Sequence, residues 1–349
     1  MGPPPRDRLG ASLSTFRVIL LGLFAGLLVA ATIATTALYY GSDPAGSDIY
    51  YSWGEGARIL RGENPYSRIL GSDMLHNDKY PTYFPLFYLL SAATQGMGFR
   101  EYPEWIGLWR IVFAFFDVGI IAILFWLPYR RGLPLLAAFA GAFWALNRWT
   151  LFELRIAQLD FIPIFFLLLS LALFEKRQRL SLLLFGVSIS AKQIGIFLAP
   201  LYLIWAWRSA PEASRRRATI VALATLAVIP LLLSLPFLVA DAEGYLRSIF
   251  FSATRLPSSH FEAFSIDAEL GLVGLWAKLP MLALMALVYG LALFGQVGRF
   301  TAALLVLSVF VDFNSVLYTH YLCWVVPLLP LAVSEYARPS PPVPAPAAA

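Results

Sequence analysis

An all-α, polytopic membrane fold of about ten spans is the architecture this sequence predicts. Three observations carry the prediction. Of 349 residues, 59% are hydrophobic and only 13% charged, and the mean hydropathy of +0.70 means more apolar surface than soluble domains can bury. Apolar runs of spanning length or nearly so lie at 16–39, 105–128, 133–150, 160–174, 180–192, 193–207, 218–240, 270–295, 299–318 and 319–336. Arginine clusters fall between alternate runs, as a serpentine path requires.

Taken in order, the run at 16–39 follows Arg6, Arg8 and Arg17 and has no clear small-residue cleavage site, so it reads as a retained anchor. A loop at 40–104 comes next. Within it Ser47 is placed to cap a helix and Asp48 to occupy its first turn, where a carboxylate suits the positive end of the dipole. Tyr50, Trp53, Ala57 and Leu60 recur at helical spacing and are expected to form one apolar face, with Tyr50 and Trp53 as anchors in the membrane interface. Gly62 and Pro65 end the helix, which is too short to span and is expected to lie along the membrane surface. The stretch from Tyr83 to Phe99 is apolar but carries Pro85, Gln95, Gly96 and Gly98, and is expected to be a second interfacial or re-entrant helix.

Charge sets the expected direction of the path. Arg130 and Arg131, then Lys176, Arg177 and Arg179, then Arg208 and Arg215 to Arg217, then Arg299 and Arg338 would join the N-terminal arginines on the cytoplasmic side. The opposite side would collect Asp43, Asp48, Glu55, Glu63, Asp73 and Asp78, the turn with Glu153 and Asp160, and a mainly acidic loop from Asp241 to Glu269. The expectation is one membrane-embedded domain over 1–338, N-in and C-in, with a disordered Pro/Ala-rich tail at 339–349. Cys323 is the lone cysteine, which excludes an intramolecular disulfide framework or a cysteine metal cluster. There is no internal repeat and no Gly-rich nucleotide loop, and topology accounts for the basic balance without nucleic acid.

Polar residues gather at the outer interface: Asp48 with Tyr51 and Glu55, Arg148 to Asp160, Lys192, Arg247 to His260, and Tyr318 to His320. Cations and a carboxylate at headgroup depth suit a phosphate-bearing lipid whose head meets an acceptor hydroxyl. Each residue also has a plainer reading. Asp48 could simply complement a dipole, Lys192 could snorkel to water, and His320 could belong to an aromatic belt. Asp160 could be an N-terminal helix residue or a partner of Arg155, and Asp117, mid-span, would face the bundle interior and pair with a polar neighbour.

The motifs Ser47-Asp48-Ile49-Tyr50-Tyr51, Ala57-Arg58-Ile59-Leu60-Arg61-Gly62 and Asn64-Pro65-Tyr66 resemble the first-loop signature of the glycosyltransferase-C superfamily. Similarity continues through Tyr83-Phe84-Pro85-Leu86, Asp117, Phe143-Trp144-Ala145-Leu146-Asn147, Ala157-Gln158-Leu159-Asp160, Ala191-Lys192-Gln193 and His320-Tyr321-Leu322-Cys323-Trp324. Within that superfamily, the chain resembles glycosyltransferase family 87, the polyprenyl-phosphate-mannose mannosyltransferases, and the catalytic subunit of GPI mannosyltransferase I.

That resemblance implies an inverting glycosyltransferase, a mannosyltransferase, moving a sugar from a polyprenyl- or dolichyl-phosphate carrier to a hydroxyl acceptor. The acceptor would be a glycan, glycolipid or protein at the extracytoplasmic face of a lipid bilayer. It assigns Asp48 as catalytic base; Lys192, His320 and Arg255, basic groups on the same expected side, are then the candidates to meet the donor phosphate. Relatives often pair two acidic residues, but Ile49 or Tyr50 stands at the partner position here. A second carboxylate would come from Asp160, Glu55 or Asp43, and no cofactor follows unless that carboxylate admits a divalent cation. An accessory membrane subunit is compatible with the resemblance. The excess of arginine over lysine points to a GC-rich genome and a prokaryotic plasma membrane over the endoplasmic reticulum. The alternative is a lipid or sugar transporter, which should place charges near the midplane and show two related halves.

Overall fold

A computed structural model describes residues 5–42, 48–70, 81–254, 265–272, 275–313 and 318–337. Features expected at Asp43, Ser47, Asp73, Asp78, Arg255, His260 and the 339–349 tail lie outside these residues. The described residues are helical throughout, with no strand among them.

Helix α1 (Pro5–Tyr39) is followed by α2 (Asp48–Leu60) and α3 (Leu86–Gly96), then by the long α4 (Tyr102–Arg130). Next come α5 (Pro134–Ala145) and α6 (Arg148–Ile156), bent by 44° at their junction. Asn147 makes that junction: its side-chain oxygen accepts from Trp149 N and Thr150 N at 2.9 Å each, capping α6. Then follow α7 (Phe161–Leu173), α8 (Gln178–Ala191), α9 (Ala199–Ser209) and α10 (Arg215–Ala240). The remainder is α11 (Ala242–Thr254), α12 (Ile266–Glu269), α13 (Leu275–Leu293), α14 (Arg299–Asp312) and α15 (Leu328–Tyr336).

Four helices are long and apolar enough to cross a bilayer, in α1, α4, α10 and α13, and five if the bent α5–α6 pair counts as one. Their outer faces are bare and apolar: Leu27, Phe115, Leu231, Val239 and Leu287 are all exposed. Among the described residues the runs expected at 160–174, 180–192, 193–207, 299–318 and 319–336 fold as α7, α8, α9, α14 and α15, each shorter than a full span on its own. α7, at 13 residues, is roughly 20 Å long against a hydrocarbon core of roughly 30 Å. α3, with 11 residues, is shorter still.

The short helices form the interior. α7 buries Phe161, Ile162, Ile164, Leu167, Leu168 and Leu171, and α8 packs along it. Two buried serines cross-link them, Ser170 Oγ donating to Ser181 O at 2.7 Å and Ser181 Oγ to Ser170 O at 2.8 Å. In a dry interior such reciprocal bonds satisfy hydroxyls that would otherwise cost 1 kcal/mol or more, in round figures about 1–3 each. Arg110 of α4 reaches the C-terminal carbonyls of α6, Leu154 O at 3.0 Å and Arg155 O at 3.1 Å, where a cation meets the negative helix end. Asp117 is indeed held by polar neighbours, Thr32 Oγ1 at 2.7 Å and Trp144 Nε1 at 2.6 Å.

Helix α2 turns inward the face that neighbours its apolar stripe. Ile49, Ser52, Glu55 and Gly56 are buried, while Tyr50 and Leu60 are exposed and Trp53 and Ala57 half-buried. Close packing on α3 decides this: a Cβ at Gly56 would collide with Ser91 and the Gln95 amide, so this glycine sets the approach. Gln95 Nε2 then donates to Trp53 O at 2.9 Å, fixing the two helices together. Tyr50 and Trp53 pack instead on Tyr102, with ring centroids at 5.0 and 5.5 Å. As the sequence suggests, Gly62 ends the helix in the left-handed region, at φ +79°.

Candidate active site

Asp48, Tyr83, Asp160, Lys192 and Trp324 meet where helices begin, end or break. Asp48 opens α2, Asp160 precedes α7, Lys192 is the extended residue between α8 and the 3-10 turn leading to α9, and Trp324 closes another 3-10 turn before α15. Irregular backbone inside an apolar bundle needs polar partners, and these side chains are gathered at such interruptions.

The centre is a buried ion pair. Lys192 Nζ donates to Asp160 Oδ1 at 2.9 Å and Oδ2 at 2.7 Å, and each side chain is only 1% exposed. Trp324 Nε1 adds a third bond to Asp160 Oδ1 at 2.5 Å. The expected alternative partner for Asp160, Arg155, is not the one the fold brings. Burying two ions costs several kcal/mol each, roughly recovered only when the geometry is good and other lone pairs are satisfied. Here three donors converge on one carboxylate. The third N–H of Lys192 has no acceptor among the described residues, and the ammonium lies 5.2 Å from the Tyr83 ring centre and 5.6 Å from that of Tyr321.

Tyr83 joins this pair to Asp48. Its hydroxyl donates to Asp48 Oδ2 at 3.3 Å while its ring faces Lys192. Enclosure, and then the Asp48 carboxylate, push the Tyr83 phenol well above its ordinary range, so it remains a donor. The backbone around Tyr83 is held from three sides: Tyr66 OH donates to Tyr83 O at 2.8 Å, Gln193 Nε2 to Thr82 O at 2.5 Å, and Tyr83 N to Tyr88 OH at 3.4 Å. Thus Lys192 and its neighbour Gln193 grip the same loop from two directions.

Loop 157–160 carries local strain. Ala157 sits in the left-handed region at φ +53°, rare for a residue with a Cβ, and this ends α6 so that Gln158 and Asp160 turn inward. Glu153, on the last turns of α6, is 1% exposed and neither carboxylate oxygen has a hydrogen-bond partner among the described residues. It lies within electrostatic reach of Asp160, Lys192 and Asp48.

The remaining expected site residues divide. Glu55 shares a helix face with Asp48 two turns away, and it is clamped by Arg68 Nη2 at 3.0 Å and Arg58 Nε at 3.4 Å. Burial outweighs both guanidiniums and raises its carboxyl to about 7. That makes it a strut between α2 and the 3-10 turn Pro65–Leu70, removed from the Lys192–Asp160 pair. His320 stacks on Tyr318 at 5.3 Å and Phe152 at 6.4 Å and meets Tyr321 edge-on at 4.9 Å, which puts it one ring away from Lys192. Asp43 and Arg255 lie outside the described residues.

Sequence reasoning assigned no chemistry to Tyr83, Trp324 or Glu153. Tyr83 and Trp324 stand inside quoted motifs beside proline and cysteine, and an aromatic ring with a polar tip at an apolar border was the available signal. Glu153 was counted only as a loop charge. Comparison with protein-family models, curated proteins and solved structures finds nothing that matches this chain.

Proposed function

We propose that this protein is a multi-pass membrane glycosyltransferase that moves a sugar, mannose by its resemblance, from a polyprenyl-phosphate carrier to a hydroxyl acceptor. The observation that supports this most is the Asp48–Tyr83–Lys192 arrangement: a carboxylate held by a phenol whose ring lies over a buried ammonium. An N-in, C-in path of about ten membrane passes, some of them broken helices, belongs to the same reading. It places the arrangement at the extracytoplasmic face of a prokaryotic plasma membrane.

In this reaction Asp48 takes the proton from the acceptor hydroxyl as its oxygen attacks the anomeric carbon. The bond from that carbon to the carrier phosphate breaks, and the phosphate leaves with the bonding electrons. Its charge is met by the third N–H of Lys192, with the His320 imidazole close by, beside Tyr321. Asp160 and Trp324 hold Lys192 in place, and Tyr83 orients Asp48. One displacement inverts the anomeric configuration.

The test is to incubate purified protein in proteoliposomes with radiolabelled polyprenyl-phosphate mannose and a soluble hydroxyl acceptor. Transfer of label to the acceptor, with release of polyprenyl phosphate, is expected. Movement of intact donor between leaflets without bond cleavage would replace this reading with the transporter.

A further inference from the structure

The end of the bundle away from the Lys192–Asp160 pair holds a cavity of about 480 Å³. Arg131 after α4, Arg208 on α9 and Arg299 at the start of α14 line it, together with Glu175 and Glu335. Both carboxylates already have partners. Glu335 caps α14, accepting from Phe300 N and Thr301 N at 3.0 Å each and from Thr301 Oγ1 at 2.8 Å. Glu175 is ion-paired with Arg299 Nη2 at 2.9 Å.

Two of the arginines have no carboxylate at ion-pair distance among the described residues. Arg131 donates to Ser334 Oγ at 2.9 Å, and Arg208 to Ala292 O at 2.9 Å. A guanidinium carries five N–H donors, so most of theirs are left for a ligand. Arg299 Nη1 is buried with no hydrogen-bond partner among the described residues. The turn between α13 and α14 is shaped around this wall. A Cβ at Gly295 would strike the Arg208 guanidinium, and one at Gly298 would strike the Glu335 carboxylate. These glycines let both groups lie against the backbone, and Arg208 is tied there by its bond to Ala292 O.

The geometry points to a binding site for a phosphate group in this cavity, that of an anionic membrane phospholipid. Planar guanidinium forks suit phosphate oxygens, and basic pockets between helices at a membrane border take anionic headgroups. The aromatic part of the wall, Phe174 and Trp205, is suited to the glycerol and upper acyl carbons below such a head. This site does not depend on the transferase reading. It differs from a general basic surface in being saturable and confined to named arginines.

The experiment titrates the full chain, in phosphatidylcholine nanodiscs, with short-chain phosphatidylglycerol, in parallel with inorganic phosphate and with added phosphatidylcholine. One saturable phosphatidylglycerol site is expected. Arg131→Gln and Arg208→Gln should each weaken it about fivefold, while exposed Arg216→Gln at the same end should leave it unchanged. Should Arg208→Gln disturb the end of α13, Arg131→Gln still decides, because its bond is to a serine hydroxyl. Equal competition by inorganic phosphate would keep the anion site and assign its ligand to the aqueous phase. Unaltered binding by Arg131→Gln, or equal loss in Arg216→Gln, would overturn the proposal.

Discussion

The two ends of the helix bundle treat charge in opposite ways. Near Asp48, Lys192 and Asp160 are each 1% exposed and their ion pair is enclosed by Trp324, Tyr83 and Tyr321. At the arginine-rich end, Glu175 pairs with Arg299 yet stands 76% exposed. Exposed pairs contribute roughly 0–1 kcal/mol and serve mainly to set orientation in a membrane. A sealed pair must overcome the desolvation of both ions, and a hydrophobic pair of the same volume is often no less stable. The contrast therefore supports the proposed site at the sealed end, since stability alone gives little reason to keep charge there.

The largest effect should follow from breaking the sealed pair one ion at a time. Lys192→Met leaves Asp160 buried with only the Trp324 indole, and should lower stability by about 3–5 kcal/mol in thermal denaturation from detergent micelles. Adding Asp160→Leu should restore much of that loss. A single variant as stable as the parent would erase the distinction between the two ends.

Glu55 lies between these extremes, buried but facing two arginines on the rim. Its carboxyl is raised from 4.5 to about 7 in the folded protein. A raised folded value means that the contribution to stability is fully present below about 4.5 and is lost as pH rises through about 7. The full swing is about 3 kcal/mol. Glu55→Gln should flatten the profile between pH 5 and 8, about the range just derived, and parallel profiles for parent and variant would show that the arginines keep Glu55 ionised.

Smaller effects sharpen the comparison. Tyr83→Phe deletes the hydroxyl that orients Asp48 while keeping the ring over Lys192. It should slow turnover by roughly five- to tenfold, the size of about one hydrogen bond, with little change in donor affinity. At the other end, Glu175→Gln should move stability by less than about 1 kcal/mol and respond to salt. A larger shift there would mean that the exposed pair carries structural weight.

The sequence made the long elements legible because a long apolar run is a signal in composition alone. α1, α4, α10 and α13 are where hydropathy puts them, and Gly62 ends α2 by its own backbone preference. The shorter runs are less legible, since α7, α8, α9, α14 and α15 are each too short for hydropathy alone to separate a span from a buried core helix. The inward face of α2 was hidden for another reason: it is chosen by the close approach of α3 at Gly56, a partner far along the chain. Asp48, Asp160 and Lys192 stood out as polar residues at apolar borders. That Asp160 meets Lys192, 32 residues on, and Trp324, 164 residues on, is a property of the assembled fold.

The most direct measurement is single turnover of labelled polyprenyl-phosphate mannose by Asp48→Asn, with donor binding followed on the same sample. The transferase account predicts parent-like donor binding and a loss of at least about 100-fold in the transfer rate, as for removal of a general base. Transfer within a few-fold of the parent rate would take the proton-accepting role away from Asp48 and the central claim with it.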